Sequence, residues 1–165
     1  MRSVKVQPLT LDAFKPYGSF SDLLHLDGPH CGDEPTPFYR DQLELDLKGA
    51  GVASFSICRA AKRDFIIDTV EYHNHTSEGI IPLDGDILLH VAPATGTGIV
   101  PWDEMEVFYV PKGTMVSLRP GTWHHAPFTV TDKPVSTVIV LPERTYVNDC
   151  IVVSLPAEQQ TKIEL

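Results

Sequence analysis

Residues 79–92, GIIPLDGDILLHVA, set two apolar runs of strand length on either side of Asp84-Gly85. An Asp-Gly pair between such runs is the strongest short hairpin signal, because both central residues of a type I′ turn take positive φ. Strands are therefore predicted over 79–83 and 86–92. Outward from this pair the same texture repeats. Residues 52–59 (VASFSICR) alternate, with Ala53, Phe55, Ile57 and Arg59 on one face. Further strands are predicted over 65–71, 106–110, 114–118, 126–130, 136–141 and 150–155, punctuated by Pro111-Lys112-Gly113 and Arg119-Pro120-Gly121. So many short strands without a long helical period predict an all-β sandwich or barrel. Near the N-terminus, Val4-Lys5-Val6 reads as a short strand. Thr10 caps one helical turn over 11–14, which Pro16 and Gly18 end. Residues 25–37, with three prolines and two glycines, read as an irregular loop.

At 165 residues the chain suits one domain, 1–165, long enough to bury roughly two-thirds of its unfolded surface. Its 42% hydrophobic and 21% charged residues are globular composition. The formal net charge of −9 argues against nucleic acid and anionic membranes as partners. A small anionic substrate fits if a local basic group receives it. Cys31, Cys58 and Cys150 form no CxxC pair and read as reduced thiols. No apolar run suits a signal peptide or the ~20 residues of a membrane span, so a cytoplasmic location is expected.

Five of the seven histidines carry the chemical signal: His73 and His75, His124 and His125, and His90 between them. On a strand, residues i and i+2 share a face, so His73 and His75 are placed to share one ion, with Glu78 three residues on. Imidazole and carboxylate suit a divalent metal such as Zn, Mn, Ni or Fe, and three or four ligands leave a position open for substrate. His125 has the opposite parity to His124, and His90 reads as structural.

This layout resembles the cupin superfamily, whose first motif runs His-x-His, a short gap, Glu, six residues, Gly. Here those places are His73, His75, Glu78 and Gly85. The gap before Glu78 is one residue short. Gly113, Gly121 and His124 stand in the register of the second motif, with Pro120 one place late and Phe128 in place of its closing Asn. The resemblance implies a cupin-type β-barrel (a double-stranded β-helix, or jelly roll) with a short N-terminal helical turn, and His73, His75, Glu78 and His124 as metal ligands.

A closer resemblance is to the ureidoglycolate lyase family, formerly ureidoglycolate hydrolase. It runs through Gln7-Pro8-Leu9-Thr10, Ala13-Phe14, Tyr17-Gly18, Ser56-Ile57-Cys58-Arg59-Ala60, Glu71-Tyr72-His73, Ile81-Pro82-Leu83, Trp123-His124-His125 and Asn148-Asp149-Cys150. Family members usually carry one histidine in the first motif and Gln where Glu78 stands, so this chain has more metal-ligand character. The resemblance implies cleavage of (S)-ureidoglycolate to glyoxylate and urea. His124 then serves as base or ligand, His73 as ligand or acid, and Glu78 as ligand. Arg59, on the face of Phe55 and Ile57, is expected to point inward and pair with the substrate carboxylate. His125 and Trp123 are expected at the substrate, while Phe108 and Tyr109 default to core packing.

Other readings are a metal-dependent cupin isomerase, epimerase or dioxygenase acting on a small hydroxy or keto acid, or a non-catalytic small-molecule-binding cupin. The apolar strands 136–141 and 150–155 need covering, which points, with the resemblance, to a homodimer.

Overall fold

The structure, a computed structural model, describes residues 1–96 and 98–165. Its strands in chain order begin with β1 Arg2–Pro8, β2 Gly18–Asp22, β3 His30–Cys31, β4 Phe38–Tyr39 and β5 Ala53–Ala60. Next come β6 Ile66–Ile67, β7 Thr69–Tyr72, β8 Glu78–Pro82, β9 Ile87–Ala92 and β10 Glu106–Val110. The remainder are β11 Thr114–Leu118, β12 Trp123–His124, β13 Phe128–Thr129, β14 Val135–Pro142, β15 Ile151–Ser154 and β16 Thr161–Glu164. The helices are single turns, α1 Leu11–Phe14 and α2 Thr145–Asn148. As expected, Thr10 caps α1, its hydroxyl accepting from the Ala13 N–H.

One sheet has the order β15-β7-β12-β9-β10-β1-β16-β6, with β13 also paired to β9, and the other the order β2-β11-β8-β14-β5. The two face each other as the walls of a cupin-type barrel. Ile87, Leu89 and Val91 of β9 point into the space between them, against Phe14, Ile80, Phe108, Val116 and Leu118. The alternate residues Leu88 and Ala92 point the other way, into a second core with Ile67, Val107, Trp123, Phe128 and Ile163, round which the larger sheet curls. Every residue of β9 is therefore buried, which explains its unbroken apolar run. Burying each such large side chain contributes about 1.5–3 kcal/mol.

The Asp84-Gly85 hairpin is not formed. β8 pairs with β11 and β14, whereas β9 pairs with β10, β12 and β13, so residues 83–86 cross from one sheet to the other. Neither Asp84 nor Gly85 takes positive φ. Glycine is needed at 85 for close approach, since a Cβ there would lie 2.8 Å from Val135 Cγ2. Asp84 accepts from the Ser136 N–H (2.7 Å), tying the crossing to β14. One smaller expectation also changes. The segment read as an irregular loop contains β3, which pairs with β4 just beyond its end. β1 pairs in parallel with both β10 and β16.

Candidate active site

The site forms where the end of β7, the start of β8 and β12 converge. β7 stops at Tyr72, so His73 opens a loop that enters the opposite sheet at Glu78, the first residue of β8. The Arg119-Pro120-Gly121 turn then delivers Trp123 and His124. Gly121 takes φ +80° there, and its N–H donates to the His73 carbonyl (2.6 Å), joining the two segments. His124 pairs across the sheet with Glu71 on one side and Val91 on the other, which turns its ring toward the barrel interior.

Inside, Glu78 Oε2 lies 3.1 Å from His73 Nε2 and 2.8 Å from His124 Nε2, and all three residues are buried. The other ring nitrogens meet backbone carbonyls: His73 Nδ1 that of Asp149 (2.6 Å) and His124 Nδ1 that of Thr122 (2.8 Å). A carbonyl only accepts, so both Nδ1 atoms carry hydrogen and both Nε2 atoms are turned toward an acceptor-only carboxylate. That arrangement needs protons, or a cation, between them.

Burial disfavours charge on His124, but the Glu78 charge and hydrogen bond outweigh it and lift the ring from 6.5 to about 9. Burial likewise pushes Glu78 up, yet the charge of His124 and hydrogen bonds from both rings bring it down from 4.5 to about 2. His73 is raised, the bond and charge of Glu78 overcoming burial. The donor set also fits a divalent ion, since ligand atoms from His73, Glu78 and His124 lie within 4.8 Å of one another with their Nδ1–H groups already held.

A pH dependence follows. The carboxyl lowered on folding stabilises fully above 4.5 and loses its contribution as pH falls through about 2. The imidazole raised on folding stabilises fully below 6.5 and loses its contribution as pH rises through about 9. With chelator present, the denaturant midpoint should therefore fall between pH 6.5 and 9 in the wild type and stay level over that range in Glu78→Gln.

Above the cluster opens a cavity of about 160 Å³. Its polar wall includes Glu71, His73, Glu78, His124, His125, Tyr146 and the thiols of Cys58 and Cys150, and its apolar wall includes Ile80, Ile139 and Leu141. No lysine or arginine lines it among the described residues. Burial raises the Cys58 thiol, and burial with the Glu71 hydrogen bond raises Cys150 to about 12. Both are therefore protonated at neutral pH and act as weak donors rather than nucleophiles.

Some expected site residues lie elsewhere. His75 is a loop residue whose side chain is 77% exposed and pairs with Asp149 (2.9 Å), because β7 ends before the i, i+2 rule can apply. Arg59 does share a face with Phe55 and Ile57, but that face is the outer one, and its Nη1 donates to Ser136 Oγ. The guanidinium beside the cavity wall is Arg63, stacked on Phe128 (3.8 Å) and donating to the Ala126 carbonyl (2.7 Å). Trp123 packs in the second core against Tyr72, its indole N–H bonded to Thr95, away from the cavity. Phe108 is a core residue, and Tyr109 bonds to Asp86. His90 is fully buried beside Phe128.

Asp149 had no signal in the sequence beyond the resemblance. Its carboxylate accepts from the N–H groups of Asn74 (2.9 Å) and His75 (2.8 Å), and its carbonyl holds His73, so it fixes the loop that opens with that imidazole.

Residues 1–163 match the family model described as ureidoglycolate lyase. The chain is 31% identical over 138 residues to the ureidoglycolate lyase of Pseudomonas syringae pv. tomato, covering 79% of this chain and 78% of that protein. It is 28% identical over 131 residues to the ureidoglycolate lyase of Rhodobacter capsulatus, covering 75% and 77% respectively. Among solved structures, a dTDP sugar isomerase from Desulfovibrio desulfuricans G20 is similar in fold, with a TM-score of 0.53, 14% identity and coverage of 87% and 89%.

Proposed function

The chain belongs to the ureidoglycolate lyase family, and on that premise we propose that it cleaves ureidoglycolate to glyoxylate and urea in the cavity above His73, Glu78 and His124. The buried carboxylate bonded to two imidazoles is the observation that carries this reading. It sets a proton-donating ring against a cavity large enough only for a small molecule.

The reaction removes the α-hydroxyl proton, forms the carbonyl from that oxygen, sends the C–N electron pair to nitrogen, and protonates the nitrogen. Environments that push neighbouring groups apart in pKa assign the two proton roles. His125 lines the cavity and is held below its ordinary range by burial, so it is the neutral ring suited to take the hydroxyl proton. His124, kept as imidazolium by Glu78, shares its Nε2 proton with that carboxylate and is suited to pass it to the departing nitrogen. The imidazole end of the cavity receives the substrate carboxylate, since among the described residues no arginine or lysine lines it. A divalent ion held by His73, Glu78 and His124 in place of their shared protons would supply Lewis acidity at the α-hydroxyl. For lyase chemistry Zn, which is redox-inert, or Mn held in its divalent state suits this role.

Purified protein supplied with ureidoglycolate should release glyoxylate and urea in equal amounts without ammonia. Ammonia in place of urea would contradict the lyase reading. Elemental analysis of the same sample identifies any bound ion.

We also propose that the protein is a homodimer in solution. β5 is a terminal strand of eight residues, paired among the described residues only with β14. Phe55 and Ile57 are 73% and 60% exposed on it, an edge that a second copy would cover. Light scattering should give twice the chain mass, and Ile57→Lys should shift it toward the monomer. A monomeric wild type would contradict the assembly.

A further inference from the structure

We propose that Glu71 determines specificity for the ureido group, its carboxylate receiving the two parallel N–H donors of that end of the substrate. The inference rests on the cleavage reading above and deepens it. Glu71 lies on β7 two residues before His73, directly across the sheet from His124, and so faces the same cavity as the buried cluster. Its Oε2 accepts from Cys150 Sγ (3.2 Å). Among the described residues no other side chain hydrogen-bonds to it, so the rest of its acceptor capacity is turned to the cavity.

Two carboxylates lining a cavity with no lysine or arginine among its described residues is a poor arrangement for an anion unless the anion has a distinct neutral end. Glu71 repels a substrate carboxylate, which is left to the imidazoles of His124 and His125. At the other end a ureido group offers one N–H from each nitrogen, side by side. That is the planar fork a carboxylate accepts bidentately, as it does from a guanidinium. With the ends placed so, the carbon bearing the hydroxyl and the scissile C–N bond falls between them, beside the histidines. Glu71 takes no proton in this role. Its hydrogen bonds hold the leaving nitrogen in place and persist in the urea product.

The test uses N-carbamoylglycine, which lacks the α-hydroxyl and cannot be cleaved, and N-acetylglycine, which lacks the terminal NH2. A charged hydrogen bond to a partly buried carboxylate corresponds to roughly 10- to 100-fold in affinity. The wild type should bind N-carbamoylglycine more tightly than N-acetylglycine by about that factor in calorimetry. Glu71→Gln keeps the size and the contact with Cys150 but replaces one acceptor with a donor, and should lose the preference. In turnover the same variant should raise KM by a similar factor, with a smaller change in kcat. It should also lose inhibition by urea while keeping inhibition by glyoxylate. Equal affinities in the wild type, or a variant with unchanged preference and unchanged urea inhibition, would overturn the assignment. The binding arm needs no turnover. A wild type that discriminates yet releases no glyoxylate leaves Glu71 its role and removes the cleavage reading, and the reverse result removes only Glu71.

Discussion

Replacing His124 with alanine should lower kcat/KM for ureidoglycolate cleavage by about 10³-fold, within the range general acid–base groups supply. The ring is buried, its Nδ1 is fixed by the Thr122 carbonyl, and its Nε2 is the closer of the two contacts to Glu78. Whichever cation occupies the cluster, the alanine variant loses its centre: with protons there it loses the imidazolium, and with a metal ion it loses a ligand. Overall folding should persist, because Glu78 keeps its bond to His73. Steady-state kinetics beside a circular dichroism spectrum check this, and a folded variant with wild-type kcat/KM would remove His124 from the chemistry.

The largest expected effect on stability belongs to Glu78→Ala. Glu78 is 6% exposed and is the shared partner of two buried imidazoles. Removing one partner of a buried charged set leaves the others uncompensated, at about 3–5 kcal/mol. In addition, the methylenes lost from the barrel wall leave a void that the surrounding sheets fill only in part. Glu78→Gln keeps the volume and a carbonyl acceptor for one ring, so it should lose less. Denaturant unfolding with chelator present separates the two variants. Similar midpoints for Glu78→Ala and the wild type would mean that the cluster contributes nothing to stability.

Most strands were legible because apolar alternation and Pro/Gly turns are local properties. Pairing was less legible. Asp84-Gly85 has the composition of a hairpin turn, but Ile80 and Ile87 are buried in strands of opposing sheets. The same composition therefore serves a crossing, with glycine chosen for its closeness to Val135. On β5 the alternation was read correctly, but its sense was reversed. The apolar residues Phe55 and Ile57 face outward, and Cys58 faces the cavity.

In the site, His73, Glu78 and His124 were legible from the glycine-framed spacing. His75 was misplaced because the period-two rule was carried past Tyr72, where β7 stops. The same rule carried backward from His73 reaches Glu71, which does share its face. Asp149 was out of reach, since it acts on residues 74 and 75 positions away through its carboxylate and on His73 through its backbone carbonyl.

The most direct measurement is glyoxylate release from ureidoglycolate by the wild type and by Glu78→Gln, at matched concentration and with both shown to be folded. If the buried carboxylate organises the reacting imidazoles, the wild type turns over and the variant falls by at least about 10²-fold. Equal rates from the two proteins would mean that the reaction takes place somewhere else.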